Sequence, residues 1–442
     1  MKINIITLGC SKNTVDSECL AGALKKAGCS VFFDRVKSDC DITIINTCGF
    51  IGDAKEESVN TVLQQVRIKS AGRKRRKLLV VGCLVERYKD ELQAEIPEVD
   101  AWYGTHEWNE VVDYVLEILS EQNQSSPKVK CSERGAFDTD RFQSTPRHYA
   151  YLKISEGCNR SCSYCAIPFI RGKHVSRPMD EIVTEAQHLV SCGVKEIIVI
   201  AQDTTFYGLD IYGKRCLAEL LEWLAKESGA SWIRLHYTYP SSFPLDVLDV
   251  MQKYDNICKY VDVPLQHINT GVLASMQRKI DKSGILQLLQ TIREKVKDVT
   301  VRTTLIVGYP AETRESFEEL KQFVKEAQFD RLGVFAYSKE EGTPAESLGD
   351  PIPEEEKQRR VSEIMALQEE ISIERNLLLV GKTIKVIVDR KEGEYYIGRS
   401  ESDSPEVDDE ILISSGKPLK IGEFYFVKIY KALEHDLMAK VQ

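Results

Sequence analysis

No stretch of this 442-residue chain is apolar for long enough to cross a bilayer. Its start, Met1-Lys-Ile-Asn-Ile-Ile-Thr-Leu-Gly-Cys10, lacks the basic region and the small-residue cleavage site of a secretory signal, and reads as a first β-strand. An excess of positive charge is missing too. The 59 Lys and Arg against 68 Asp and Glu give a formal net charge of -9, which argues against a protein whose main task is holding nucleic acid. Internal repeats and low-complexity tracts are absent. These absences lead us to expect a cytoplasmic protein with no membrane partner. In that reducing compartment thirteen cysteines point to metal or catalytic use rather than disulfides. One basic run, Arg73-Lys-Arg-Arg-Lys77, reads either as a solvated loop or as a patch that docks on RNA or a ribosomal surface.

A fourth cysteine is also lacking where one would be needed. Cys158, Cys162 and Cys165 are spaced C-x3-C-x2-C in Gly157-Cys-Asn-Arg-Ser-Cys-Ser-Tyr-Cys165, with no further cysteine near enough to complete a local tetrad. Full ligation of a cubane iron–sulfur cluster takes four thiolates. Three leave one iron open, and an open metal position is where chemistry takes place. Two other readings stay open on the residues alone. One is a structural zinc site with His174 as a distant fourth ligand, although zinc sites usually pair two C-x2-C knuckles and one such pair is present here. The other is three unrelated buried thiols, which would sit in apolar runs rather than among Asn, Arg and Ser.

The remainder of the chain falls into three rhythms. Residues 1–122 alternate strand and helix, with apolar strands at Lys2–Thr7, Asp41–Asn46 and Leu78–Val81, as in a parallel sheet covered on both faces. Each strand runs into a cysteine: Cys10, Cys48 and Cys83. Ligands gather at the carboxyl ends of strands in such sheets, so these three are either a second metal constellation or three thiols at strand ends. The glycine beside each one suggests close approach of the backbone to a ligand. Residues 123–147, with Cys131, read as a linker. From 148 to 375 six further βα repeats follow, two short of a closed eightfold barrel, so a partial (βα)6 barrel is expected with the cysteine loop at its carboxyl face. The charged stretch from Pro351 to about Leu379 reads as a packing helix. Residues 378–442 hold five short strands, as in a small OB-like β-barrel.

These parts, in this order, resemble the methylthiotransferase family of radical S-adenosylmethionine (SAM) enzymes. The matching motifs are Leu8-Gly-Cys10-Ser-Lys-Asn-Thr-Val-Asp-Ser-Glu18, Asn46-Thr-Cys48-Gly-Phe50, Val81-Gly-Cys83, the Cys158–Cys165 loop with Ala-Ile-Pro after it, and Ile306-Val-Gly-Tyr-Pro-Ala-Glu-Thr313. The resemblance covers essentially the whole chain. It implies an N-terminal α/β domain, a radical-SAM core and a C-terminal TRAM barrel. It also implies two 4Fe–4S clusters, one on Cys10, Cys48 and Cys83 and one on Cys158, Cys162 and Cys165, the latter binding SAM. Within the family, Leu8-Gly-Cys-Ser-Lys-Asn13 and Gly398–Asp408 are similar to the branch that adds a methylthio group to the β-carbon of an aspartate in small-subunit ribosomal protein S-twelve. The expected route is hydrogen abstraction by a 5′-deoxyadenosyl radical, with sulfur held at the second cluster. The expected partners are that ribosomal protein, free or within the ribosome, a reductant such as flavodoxin or ferredoxin, and a sulfur donor. Nucleic acid is not expected as the direct substrate. The alternatives are the sister branch acting on tRNA adenosine and a non-catalytic iron–sulfur scaffold.

Charge points to the ribosomal-protein branch as well. Residues 380–442 carry ten Lys or Arg and twelve Asp or Glu, and Glu401–Glu410 holds six acids and no base, an acidic surface suited to a basic protein. Tyr164, inside the cysteine loop, is expected to pack near the adenine. Gln202 and Asp203, after the second strand of the core, are expected to meet the methionine end of SAM. Arg302, Thr303 and Gly308 are placed toward its ribose and adenine. His267 is assigned no chemistry, and Cys19, Cys29, Cys40, Cys192, Cys216 and Cys258 are read as core or surface thiols.

Overall fold

The structure, a computed structural model, describes residues 1–35, 39–71, 76–121 and 141–442. The expected linker as far as residue 140, Cys131 with it, and positions 73–75 of the basic run lie outside the described residues. The chain divides into two compact units.

The first unit comprises residues 1–145 with the short segments 156–159 and 166–174. Its sheet has five parallel strands, β1 (Lys2–Thr7), β2 (Ser30–Phe33), β3 (Ile42–Thr47), β4 (Lys77–Gly82) and β5 (Ala101–Tyr103), in the order β2-β1-β3-β4-β5. Helices α1 (Ser11–Lys26), α2 (Gly52–Ala71), α3 (Cys83–Glu95) and α4 (Trp108–Glu121) cover it, and a short α5 (Ile167–Arg171) belongs to the same unit. Alternate side chains of a strand face opposite sides. Thus Leu79 and Val81 pack with Leu20, Leu24, Val111 and Val115 of α1 and α4, while Leu78 and Val80 pack with Val62 and Val85 of α2 and α3. Burial on both sides is why these strands read as unbroken apolar runs. Two strands were not expected from the sequence, β2 and β5. They are the short edge strands of the sheet.

The second unit holds the remaining residues. Six parallel strands, β6 (Tyr149–Lys153), β7 (Glu196–Ile200), β8 (Trp232–Leu235), β9 (Ile257–Asp262), β10 (Thr300–Val307) and β11 (Arg331–Ala336), pair in sequential order, and β6 and β11 remain as edges. Between them run α6 (Met179–Ser191), α7 (Leu217–Glu227), α8 (Asp246–Lys253), α9 (Thr270–Ser275), α10 (Lys282–Lys295) and α11 (Arg314–Ala327). This is the expected open (βα)6 arrangement. Helix α12 (Glu354–Leu377) packs on it through Ile364 and Ile371, and Asn376 donates to the carbonyl of His435. Strands β12 (Thr383–Glu392), β13 (Tyr395–Arg399), β14 (Ile411–Ser414), β15 (Phe424–Ala432) and β16 (Leu437–Val441) close into a barrel around Val386, Val388, Ile411, Ile413, Val427 and Ile429. No helix among the described residues is long and apolar enough to cross a membrane.

The acid-rich run between β13 and β14 is not the open acidic surface that its composition suggests. Asp403 and Asp409 pair with Arg331, and Asp408 pairs with Arg302 at 3.3 Å and accepts from Tyr260 at 2.7 Å. Glu406 accepts from the hydroxyls of Tyr149 and Tyr151, and Glu410 pairs with Arg390. Glu401 and Glu406 are the exposed members of the six. The run therefore fastens the small barrel to β6, β9, β10 and β11. Lys382, Lys385, Lys391, Lys417, Lys420, Lys428, Lys431 and Lys440 remain exposed outside it.

A buried carboxylate completes this joint. Glu196, at the start of β7, meets Arg234 of β8 at 2.7 Å and Arg399 of β13 at 2.7 Å, and all three side chains are almost wholly buried. Burial pushes the Glu196 carboxyl up, but Arg399 and Arg234 outweigh it and hold its pKa below the ordinary value. A carboxylate with a lowered native pKa stabilises the fold fully above the ordinary glutamate range, and that stability is lost on acidification. Glu196→Gln leaves two buried guanidinium groups short of a charge. It is expected to cost roughly 3–5 kcal/mol at neutral pH, seen as a lower melting temperature whose gap from the wild type narrows as pH falls. An equal melting temperature at neutral pH would show that the joint does not depend on this carboxylate.

Candidate functional site

In the first unit β1, β3 and β4 are parallel neighbours, so their carboxyl ends share one edge of the sheet. Cys10 caps α1 there, Cys48 follows β3, and Cys83 opens α3. One side chain ties the three turns together. Asn13 Nδ2 donates to the carbonyls of Leu8 (2.9 Å) and Thr47 (3.0 Å), and its Oδ1 lies 3.7 Å from Cys83 Sγ. Asn46 Nδ2 returns a bond to the Asn13 carbonyl at 3.0 Å. The glycines serve a different purpose from the one expected. Gly9 has φ +91°, and a Cβ there would stand 2.6 Å from Cys48 Cβ. Gly82 has φ +101°, and a Cβ there would run into Asn46 and Thr47. They let the cysteine-bearing turns approach one another rather than let a ligand approach the backbone.

Cys48 and Cys83 are buried and Cys10 is exposed. Burial raises the Cys48 thiol to about 12, and the neighbouring Cys10 and Cys83 push it the same way. Burial likewise raises Cys83, with Arg171 opposing. Such mutual repulsion marks three sulfurs sharing one field. Metal binding deprotonates thiol ligands and supplies a cation for them to share. Arg171 of α5 is the residue at this edge that sequence reading missed. Its Nη2 lies 3.3 Å from Cys83 Sγ and 2.6 Å from Asn13 Oδ1.

The second trio lies in the loop that follows β6. Cys162 is buried, and Cys158 and Cys165 are half-buried. The loop is pinned through Ser163: its N–H donates to Met276 O (3.1 Å), its hydroxyl donates to Ser275 O (2.8 Å) and meets the Tyr309 hydroxyl (2.9 Å), and its carbonyl accepts from Ala345 N–H (2.8 Å). Cys158 N–H donates to the carbonyl of Gly172. Cys162 Sγ has two neighbours that the sequence did not announce, the Tyr239 hydroxyl and Arg278 Nη1, each at 3.4 Å. The Tyr239 ring lies between two guanidiniums, Arg160 at 3.9 Å and Arg278 at 4.1 Å from its centroid. Arg160 is itself held by Asp203 at 2.6 Å.

The other expected contacts fare unevenly. Tyr164 packs against Val272, Met276, Tyr309, Tyr337 and Ala345 and accepts from Arg278. Asp203 caps a short turn through Thr205 as well as holding Arg160, so its carboxylate is already engaged, while Gln202 is half-buried beside it. Arg302 is paired with Asp262 and Asp408 near the start of β10, away from the carboxyl ends. Thr303 spends its hydroxyl on Val263 O and Leu265 N–H. Gly308 faces the stem of Lys357, and its N–H donates to Glu312. The Ile306–Thr313 motif acts here through Tyr309, which grips Ser163, and through Thr313, which caps α11.

Do these residues fit a cluster and SAM? Among the described residues no three His, Cys, Asp or Glu side chains converge on one ion position, the arrangement that the zinc alternative requires. A cubane takes each thiolate on a separate iron. Gln266 Oε1, after β9, and Arg278 Nε, on the guanidinium that meets Cys162, are buried with no hydrogen-bond partner among the described residues, and Gln266 is held at φ +74°. A buried acceptor and a buried donor at the carboxyl end of the sheet call for a polar ligand.

Three stretches match known families: residues 2–104 the uncharacterized protein family UPF0004, residues 152–324 the radical SAM superfamily, and residues 380–441 the TRAM domain. Over 441 residues the chain is 52% identical to the ribosomal protein uS12 methylthiotransferase RimO of Phocaeicola vulgatus, with 99% of both chains covered. Against the RimO of Bacteroides thetaiotaomicron it is 50% identical, covering 100% of this chain and 98% of that one. The chain belongs to the RimO family. Among solved structures it is similar to the radical SAM methyltransferase TsrM of Kitasatospora setae (TM-score 0.54, 14% identity, 90% of this chain and 80% of that one). It is also similar to the radical SAM enzyme OxsB (TM-score 0.53, 10% identity, 83% and 56%). At these identities the likeness is one of fold.

In this RimO-family chain the tight seat of Gly9 against Cys48 gives a direct test of the first trio. Gly9→Ala is expected to keep the secondary structure, seen by circular dichroism, yet to hold less iron after anaerobic reconstitution. Unchanged iron would show that this approach plays no part in metal binding.

Proposed function

We propose that the chain is a radical SAM methylthiotransferase that replaces a hydrogen on the β-carbon of an aspartate in small-subunit ribosomal protein uS12 with a methylthio group. The observation that carries this reading is the full-length similarity to RimO at about half identity. Two separate cysteine trios, each fixed in place by its own polar contacts, support it.

In this reading Cys158, Cys162 and Cys165 hold the 4Fe–4S cluster that binds SAM, and Cys10, Cys48 and Cys83 hold a second one. When bound, these groups supply a carbon-centred radical oxidant, a methyl group and sulfur, which no side chain can provide for an unactivated C–H bond. The chain's own residues do the rest. Ser163 fixes the loop, so its thiols are presented without reorganisation. Arg278 directs a cationic N–H at Cys162 Sγ, and the Tyr239 hydroxyl, which donates to the Arg278 carbonyl, lies 3.4 Å from the same sulfur. Arg278 Nε and Gln266 Oε1 are candidates for SAM contacts, and Tyr164 and Gln202 remain so. Arg302, Thr303 and Gly308 are better explained by packing. The reaction also calls for an external reductant, flavodoxin or ferredoxin by chemical type, and a sulfur donor. A cytoplasmic setting suits both. The sister reading, methylthiolation of tRNA adenosine, has less support because the full-length relatives are ribosomal-protein enzymes.

The test uses the chain reconstituted anaerobically with iron and sulfide, then given SAM, dithionite and folded uS12. Mass spectrometry is expected to find a methylthio group in place of one hydrogen on an aspartate. Alanine at all three cysteines of either trio is expected to abolish that product. Methylthio-adenosine in tRNA, with uS12 unmodified, would overturn the assignment in favour of the sister activity.

A further inference from the structure

Arg171 ends α5, six residues beyond Cys165 in the chain, and its side chain is 3% exposed. Within the first unit its guanidinium is fully engaged. Nη1 donates to Asp16 Oδ2 at 2.6 Å and meets Glu156 Oε2 at 3.4 Å. Nη2 donates to Asn13 Oδ1 at 2.6 Å and stands 3.3 Å from Cys83 Sγ. Asp16 and Glu156 together already exceed the single positive charge of Arg171, so the sulfur is not needed to neutralise it. The planar fork is instead aimed: two carboxylates hold one edge, and the other edge points at the amide oxygen and the thiol. Lysine, with a single nitrogen, could not meet Asp16, Asn13 and Cys83 in this geometry.

We propose that Arg171 is a positioning residue that sets the reduction potential of the cluster at Cys10, Cys48 and Cys83 by directing a cationic N–H at Cys83 Sγ. The proposal rests on the ligand assignment given above. Hydrogen bonds to ligating sulfur withdraw electron density and favour the more reduced cluster, and second-shell partners tune metal sites in this way. Arg171 therefore keeps this cluster easier to reduce than its buried, carboxylate-flanked setting would otherwise allow.

The experiment uses the full-length chain with Cys158, Cys162 and Cys165 replaced by alanine, reconstituted anaerobically, so that a single cluster remains. Its midpoint potential is read by redox titration followed by electron paramagnetic resonance. Asp16→Asn is compared with Asp16→Asn/Arg171→Gln, so that the nearer of the two carboxylates on Arg171 is neutral in both. The expected result is a more negative midpoint when Arg171 is lost, with iron retained. An unchanged midpoint overturns the proposal. If the double variant loses iron, Arg171→Lys decides: a negative shift supports the proposal and a wild-type midpoint overturns it. In the reverse background, with Cys10, Cys48 and Cys83 replaced, Arg171→Gln is expected to leave the remaining midpoint in place. An equal shift there would mean a general charge effect and would overturn the local role. If the first background binds no cluster at all, the ligand assignment fails, and the proposal with it.

Discussion

The arrangement at the first cysteine trio depends on one buried amide. Asn13 bonds the carbonyl two residues before Cys10 and the carbonyl just before Cys48, and it receives the arginine that faces Cys83. A parallel sheet by itself brings three strand ends to one edge but does not fix the turns that leave them. Those turns diverge into different helices, and their orientation must be set by something other than the ladder. An asparagine, with two donors and an acceptor on a short stem, can satisfy several backbone groups that point into the same small space. Asn13, Thr47 and Arg171 are buried, so a bond lost among them leaves a costly orphan, and the fold itself fixes the turns.

The second trio is built by a different device. Its loop does not lie on a sheet edge shared by three strands. It is a single excursion after β6, pinned through the neighbour of Cys162. Ser163 uses N–H, hydroxyl and carbonyl, and its partners come from the end of α9, from Tyr309 and from the turn at Ala345. The Ile306–Thr313 motif belongs to this support. Sequence reading assigned its glycine to a ligand, whereas the structure uses the next residue, Tyr309, to hold the cysteine loop.

What was legible in the sequence follows from the range of the interactions involved. The strands β1, β3 and β4 and the inner strands of the core were readable because burial on both faces makes a run apolar, and the half-exposed β11 was readable from its apolar residues alone. The edge strands β2 and β5 were missed because an edge needs little apolar length. The cysteines were readable because their spacing, or their place at strand ends, is local. Arg171 was not, since Asp16, Asn13 and Cys83 lie 155, 158 and 88 positions away. Arg278, 116 positions from Cys162, was hidden for the same reason. Nothing in the neighbourhood of either arginine distinguishes it from a surface residue. A buried charge becomes visible only when the fold brings its partners to it.

The acid-rich run shows the opposite error, in which a local signal was clear but its meaning depended on distant residues. Six acids within ten positions suggest a repulsive surface only if they stay in solvent. Here Arg302, Arg331 and Arg390 and the hydroxyls of Tyr149, Tyr151 and Tyr260 take up five of them. Once those charges are consumed inside the second unit, the net charge of the small barrel no longer describes its outer face, where eight lysines stand exposed beside Glu392, Glu394, Glu423 and Glu434. Long-range steering depends on the charges that solvent leaves unpaired and not on their sum. The distinction between a protein substrate and an RNA substrate therefore cannot be drawn from the composition of this barrel. It rests on the full-length kinship, while the acids do the structural work of holding the barrel to the sheet.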